Sequence, residues 1–336
     1  VRLPNWVGDA LLATPALHAL RLTFARAEIS VLAKPWVAPL FEAGPDRDRL
    51  IVYERPGRHA GLGGFTLLCR ELRALRFEAA VLFQNAFEAA LIARLSGIPQ
   101  RAGYATDGRR LLLSHPVSLN GALGLHHADY YLNLVERLGC NIQVERRLRL
   151  TLPEWAKEAA GERLSGLGLE GIPLVGLAPG AAFGTAKRWP AERFAAVADS
   201  LSRRLGTTTL IFGSRGEQEV TREVARAMKT TSLDLAGRTP LLEAAAIIGR
   251  CSLFVTNDSG LMHLASALDV PLVAVFGPTD PQTTSPLGKN SRLVRGRANC
   301  APCLKRHCPT DHRCLLSVAP EEVLEAALGL LEETGS

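Results

Sequence analysis

The run Pro179–Pro190, PGAAFGTAKRWP, sets a mobile cation, Lys187, beside Gly180 and Gly184. A lysine is a compact point charge suited to phosphate, and glycine lacks the Cβ that would hold a ligand off. The glycine spacing and the Lys-Ser/Thr pair of a Walker loop are absent. A second run, Leu253–Leu268 (LFVTNDSGLMHLASAL), passes from an apolar strand through Asn257-Asp258-Ser259-Gly260 into a helical pattern. Any of the first three turn residues could cap that helix. Free N–H groups and the positive dipole end at its start would suit phosphate, although an ordinary capped helix reads the same way. Phe212–Glu217, FGSRGE, places Glu217 where a carboxylate could accept two ribose hydroxyls, or simply favour the helix dipole. Leu235–Pro240, LAGRTP, would bring Gly237 and Thr239 close to a base, and Phe276–Pro281, FGPTDP, makes a rigid corner.

Near the start, Asp9 ends a tight turn, Asn5-Trp6-Val7-Gly8-Asp9, where capping the next helix is its simplest role. Far downstream, Cys300, Cys303, Cys308 and Cys314 read C-x₂-C-x₄-C-x₅-C, with His307 and His312 among them. That pattern could hold structural zinc or an iron–sulfur cluster, but it is not the spacing of a two-knuckle ribbon. A structural clip or free thiols in a surface loop is the preferred reading. Lys305, Arg306 and Arg313 make the same loop basic.

These turns need a frame that presents them together. Strand patterns occur at Ile29–Leu32, Leu50–Val52, Ala79–Phe83, Leu174–Leu177, Thr208–Phe212, Ser232–Asp234, Leu253–Val255 and Leu272–Val275. Helical patterns alternate with them: Ala10–Thr23 (kinked or restarted at Pro15), Val37–Ala43, Thr66–Leu75, Glu88–Ser96, His126–Leu138, Pro190–Leu205, Glu217–Met228, Leu241–Ile248 and Gly260–Leu268. Such alternation argues for an α/β protein of βα units with parallel sheets. Gly57–Gly64 suits a mobile loop, and Asp107–Pro116 a loop or strand edge. We expect an N-terminal Rossmann-like domain over 1–150, a linker over 151–171, a second Rossmann-like domain over 172–318 and a terminal helix over 319–336. Val1-Arg2-Leu3-Pro4 passes directly from apolar residues into a turn, so a shortened first strand, with further residues ahead of Val1, is expected.

The 336 residues carry 47% hydrophobic and 21% charged side chains and a net charge of +6, the profile of a globular protein. Residues 1–150 hold 19 Lys and Arg against 13 Asp and Glu, and the remainder is balanced, so the excess lies in the first half. A basic half suits a phosphorylated or membrane-surface partner. Candidate contacts there include Lys34, Arg58, His59, Arg101, Arg109 and Arg110, with Trp6 beside them. No apolar run reaches ~18 residues, so no membrane span is expected, nor is a signal peptide. Seven cysteines in a chain of this length fit a reducing cytoplasm rather than a disulfide scaffold. No nucleic-acid motif is present.

The motifs LPNWVGDALLATPAL, PGAAFGTAKRWP, FGSRGE, LAGRTP, VTNDSGLMHLASAL and FGPTDP, in this order, resemble glycosyltransferase family 9, the ADP-heptose:lipopolysaccharide heptosyltransferases. Their wording is most similar to the type that adds the second core heptose, to heptosyl-Kdo2-lipid A. The resemblance implies the GT-B fold, two Rossmann-like doubly wound domains facing a central cleft. It implies inverting transfer from ADP-heptose to a phosphorylated lipid A–Kdo core, by a cytoplasmic enzyme peripheral at the inner face of the inner membrane. Asp9 would be the catalytic base, and Lys187, with the amides near Ser259 and Gly260, would stabilise the departing diphosphate. Asp258 would bind the sugar, Glu217 the ribose, and Gly237 and Thr239 would line the adenine pocket, while His263 would pack or reach the diphosphate. No cofactor is implied for the chemical step, and Asp46-Arg47-Asp48, although spelled like a metal-binding pair, lies far from the donor turns. Competing readings are another GT-B sugar transferase, a sugar-nucleotide epimerase, or a metal- or redox-sensing protein built on the cysteine loop.

Overall fold

The first residues of the chain form the middle of a parallel sheet. In the computed structural model, which describes residues 1–335, Arg2 bridges in parallel to both Leu32 and Leu82. The Leu3 N–H donates to the Leu32 carbonyl at 3.1 Å, and the Arg2 N–H to the Val81 carbonyl at 2.8 Å. Around residues 1–3 lie β1 (Ser30–Ala33), β2 (Arg49–Val52), β3 (Ala79–Leu82), β4 (Gln100–Tyr104) and β5 (His115–Val117). Their order is β2-β1-(residues 1–3)-β3-β4-β5, parallel throughout. From residues 1–3 at the centre the chain builds outward on one side, then returns to build the other.

The second sheet repeats this plan. Its strands are β6 (Leu174–Ala178), β7 (Thr208–Ile211), β8 (Ser232–Asp234), β9 (Leu253–Asn257), β10 (Leu272–Phe276) and β11 (Ser291–Arg295). Their order is β11-β10-β9-β6-β7-β8, again all parallel. In each sheet the order reverses beside the first strand, which is where doubly wound sheets bind ligands, outside the carboxyl ends of the strands. The chain divides into two compact units, Val1–Thr151 and Leu152 onward.

Every residue of β6, β9 and β10 is buried, which is why LVGLA, LFVTN and LVAVF are almost unbroken apolar runs. At Gly176 an added Cβ would lie 2.4 Å from the Phe254 ring, so glycine lets that ring cover β6. The helix Ala191–Leu205 turns Phe194, Val197, Ala198 and Leu201 into the same core. The last helix, Pro320–Thr334, adds Val323, Ala327, Leu330 and Leu331. Burial of each aliphatic side chain larger than alanine stabilises by ~1.5–3 kcal/mol, which ties this helix firmly to the second unit. The helix Glu154–Gly166 also packs in this unit, with Arg163 paired to Glu243 of the helix Leu241–Ile248.

Several expected elements differ in detail. The helix expected over Ala10–Thr23 is two helices, Val7–Leu12 and Thr14–Thr23, because Pro15 starts a new first turn, where its missing N–H costs nothing. Gly57–Gly64 is not one loop. Gly61–Gly64 open the helix Gly61–Ala74, and Gly64 lies so close to His59 that a Cβ would meet its backbone at 2.3 Å. β4 and β11 are strands that no expected pattern covers, and β5 overlaps the end of the segment Asp107–Pro116 expected as a loop or strand edge. QRAGY, HPV and SRLVR lack a clean apolar run, and β5 and β11 are sheet edges.

Candidate functional site

In the second unit, the turns after β6 and β9 meet at the reversal of strand order. Asn257, fully buried at the end of β9, fastens them. Its Oδ1 accepts from the Trp189 N–H at 3.1 Å, and its Nδ2 donates to the Pro179 carbonyl at 2.7 Å and more weakly to that of Gly180 at 3.4 Å. On this frame the Lys187 Nζ donates to Asp258 Oδ2 at 2.6 Å, with the two side chains only 14% and 5% exposed. Lys187 and Asp258 are 71 residues apart, and parallel pairing of β6 with β9 brings them together. Beside them Ser259 precedes the helix Gly260–Ala267 without capping it through its side chain; the Ser259 Oγ instead lies 3.3 Å from Thr256 Oγ1. His263, one turn into that helix, is buried.

The remaining turns of this sheet that the sequence singled out adjoin this centre. Glu217 Oε2 accepts from the Ser214 N–H at 2.8 Å and its hydroxyl at 2.7 Å, so the carboxylate closes a capping box. Its other oxygen lies where a Cβ on Gly180 would be, 2.2 Å away, so glycine is required for this approach. Gly237, at φ +64°, abuts Arg215 in the same way, with a Cβ 2.6 Å from its Cγ. Thr239 is half-buried in the turn that follows. Gly180, Glu217 and Gly237 thus join the turns after β6, β7 and β8 into one surface.

The cysteine loop braces the lysine turn. The Ala186 N–H donates to the Arg306 carbonyl at 3.0 Å, and Thr185 Oγ1 meets His307 Nδ1 at 3.1 Å. A Cβ on Gly184 would lie 2.2 Å from that same carbonyl oxygen. Lys187 and Arg306 each stand 5.1 Å from the Phe183 ring centroid, at cation–π distance. Among the described residues no group of three or more His, Cys, Asp or Glu is placed to hold an ion. Cys314 is instead buried in the hydrophobic core, Cys300 is exposed, and Cys308 accepts from the His312 N–H at 3.3 Å. Hydrogen bonding from Thr310, then from His312, holds the Cys308 thiol below its usual range.

In the first unit Asp9 lies in the first turn of Val7–Leu12, with Oδ1 3.2 Å from His127 Nδ1. Both side chains are partly exposed, at 30% and 42%. His127 begins the helix His127–Glu136, and no local pattern linked it to Asp9 across 118 residues. At the reversal of strand order in this sheet, a cavity of about 470 Å³ opens beside Arg2, Asn5, Lys34, Tyr53, Arg55 and Glu88. The expected acceptor contacts are not all brought to it. Lys34 lines it, and Trp6 is half-exposed near Asn5. Arg109 is fully buried and binds the Tyr104 and Gln84 carbonyls and Asn85 Oδ1, so it braces the fold instead of facing a ligand. His59 is likewise buried and lies 3.1 Å from Glu71, which also pairs with Arg58. Asp46 pairs with His18 at 2.8 Å and Asp48 with Arg21, so that Asp-x-Asp spelling is structural.

Comparison with known proteins bears on this geometry. Residues 65–313 match the model of glycosyltransferase family 9 (heptosyltransferase). The chain is 32% identical to lipopolysaccharide heptosyltransferase 2 of Salmonella typhimurium, over 99% of this chain and 98% of that one. Among solved structures it resembles the ADP-heptose LPS heptosyltransferase II of E. coli, with TM-score 0.82 and 30% identity, covering 100% of this chain and 98% of that one. It also resembles a glycosyltransferase of family 9 from Veillonella parvula, with TM-score 0.90 and 29% identity over 99% and 96% of the two chains. The GT-B-type α/β fold expected from the motifs is thereby established.

Proposed function

The chain belongs to glycosyltransferase family 9, and we propose from that premise that it transfers heptose from ADP-heptose to the lipopolysaccharide inner core, as the second core heptose. The observation that carries the reading is the Lys187–Asp258 pair, held at the strand-order reversal of the second unit by Asn257. Lys187 neutralises the departing diphosphate, aided by the backbone amides of Ser259 and Gly260. Asp258, released from Lys187 as the diphosphate takes its place, accepts hydrogen bonds from the sugar. The free side of Gly180 and the Glu217 carboxylate receive the ribose, and Gly237 and Thr239 flank the adenine. Preorganised donors at a developing charge are worth ~3–4 kcal/mol each, well above the ~1 kcal/mol of a helix end alone, so Lys187 carries most of this effect.

Asp9 takes the acceptor hydroxyl's proton as that oxygen bonds to C1 of the heptose. The bond from C1 to the diphosphate oxygen breaks with its electron pair, and ADP leaves. Attack opposite the leaving group inverts C1. His127 holds the Asp9 carboxylate in place. No step calls on a metal, because the charge that develops on the diphosphate is met by Lys187. The basic excess of the first unit suits a phosphorylated lipid acceptor at the inner face of the inner membrane, and among the described residues no helix is long and apolar enough to cross a membrane.

The test is transfer from ADP-heptose to truncated cores bearing no heptose or one. Activity only on the heptose-free core would overturn the assignment to the second position. Asp9→Asn should bind ADP-heptose as the wild type does while turnover falls by ~10²–10⁴. An equal loss of donor binding would make Asp9 structural.

A further inference from the structure

We propose that the cavity walled by Arg2, Lys34 and Arg55 is a subsite for one oxyanion of the acceptor, either a sugar carboxylate or a phosphate ester. The proposal rests on the transferase reading above and adds a defined binding site to it. The cavity lies at the carboxyl ends of β1, β2 and β3, beside Asn5 and Gln84, where the strand order of the first sheet reverses. Its volume of about 470 Å³ holds an acidic sugar as readily as a bare anion.

The charges around it do not balance. Glu88 is the one carboxylate lining the cavity, and it is engaged by Arg55 at 2.9 Å and by the Tyr53 hydroxyl. Among the described residues, Arg2 and Lys34 have no carboxylate at ion-pair distance, yet they are only 5% and 7% exposed. Among the described residues Arg2 Nε has no hydrogen-bond partner, while its Nη atoms donate to the Leu3 and Leu32 carbonyls and to Asn5 Oδ1. Lys34 Nζ makes a single long bond, 3.3 Å to the Arg55 carbonyl, and stands 3.6 Å above the Tyr53 ring. Donors on a buried ammonium are costly to leave unmatched, so the geometry is that of a site built for an anion. Burial, reinforced by Arg2 and Arg55, lowers the Lys34 ammonium to about 8, and burial lowers the Arg2 guanidinium to about 10. An incoming oxyanion offsets both.

Neutral donors complete the wall. Asn5 Oδ1 accepts from Arg2, and Gln84 Oε1 accepts from the Asn5 N–H at 3.0 Å, which leaves both NH₂ groups for a ligand.

Lys34→Met tests the proposal, because it keeps an unbranched side chain one atom shorter and removes a charge that the fold already disfavours. Its melting temperature should not fall. The acceptor KM should rise about 10–100-fold, the loss of one charge-assisted hydrogen bond, with the ADP-heptose KM unchanged. Carboxyl-reduced and dephosphorylated acceptors then separate the two sources of the oxyanion. The modification that raises KM for the wild type should have no further effect on Lys34→Met. An unchanged acceptor KM in the variant, or indifference of the wild type to both modifications, would overturn the subsite. If the wild type turns over no core acceptor, the transferase reading fails. The subsite is then judged on inorganic phosphate: binding to the wild type that Lys34→Met loses supports it, and equal binding overturns it.

Discussion

Replacing Lys187 by methionine separates what the Lys187–Asp258 pair does for the fold from what it does for the reaction. The two side chains are 14% and 5% exposed with 2.6 Å between charged atoms, so solvent screening does not reduce the pair to a surface contact. Removing the cation leaves the Asp258 carboxylate buried and uncompensated, a loss of ~3–5 kcal/mol in such pairs. In a domain of this size each kcal/mol shifts the melting temperature by ~2–4 °C, so Lys187→Met should melt about 6–20 °C lower. On the proposed mechanism the same change removes the cation that faces the diphosphate and should cut kcat by ~10²–10³. The double variant Lys187→Met/Asp258→Asn removes both charges and should regain most of the lost stability, because no bare carboxylate remains. Its transfer rate should stay low. Thermal melting followed by ADP release under saturating acceptor measures both quantities. A single variant that melts within about 2 °C of the wild type would refute the buried coupling. A double variant that recovers turnover would reduce Lys187 to a structural counter-ion.

Other positions test the parts that hold this pair. Gly184→Ala would place a Cβ 2.2 Å from the backbone oxygen of Arg306, so the lysine turn must shift. Misplacement of about 1 Å costs on the order of 10²-fold in rate, and the loss should fall on ADP-heptose kinetics, with acceptor KM unaltered. Asn257→Ala leaves the Trp189 N–H and the Pro179 carbonyl unpaired in a fully buried place, at ~1–3 kcal/mol each. Melting should fall by about 4–24 °C, and a change under 2 °C would mean that water replaces the amide. Thiol alkylation followed by mass spectrometry across pH 6–9 should label Cys308 at lower pH than Cys314, because hydrogen bonds favour the Cys308 thiolate while burial pushes the Cys314 thiol up. The reverse order would contradict the placement of the cysteine loop.

What was legible in the sequence follows from how each feature is encoded. β6, β9 and β10 are buried on both faces, so their apolar runs name them, and the turns that follow keep their polar residues in one short stretch. β4 and β5 carry Gln, Arg, His and Pro, and only hydrogen bonding to a neighbouring strand makes them strands. Arg109 and His59 looked like surface charge because a residue type does not report burial. Beside the Tyr104 carbonyl of β4, which is near Arg109 in sequence, their partners come from the turn after β3 and the helix Gly61–Ala74, which are not. The same distance hid His127 from Asp9, and Arg2 and Tyr53 from Lys34. Strand order is the missing quantity in every case. Periodicity identifies a strand but not its neighbour, and the centres described here are products of neighbours. Lys187 meets Asp258 because β9 returns to lie against β6 instead of following β8, and Arg2 meets Lys34 because β1 and β3 flank residues 1–3. A chain with the same turns on a sheet wound in simple sequence order would keep each motif, separate Lys187 from Asp258 and take Gln84 and Glu88 away from Arg2 and Lys34.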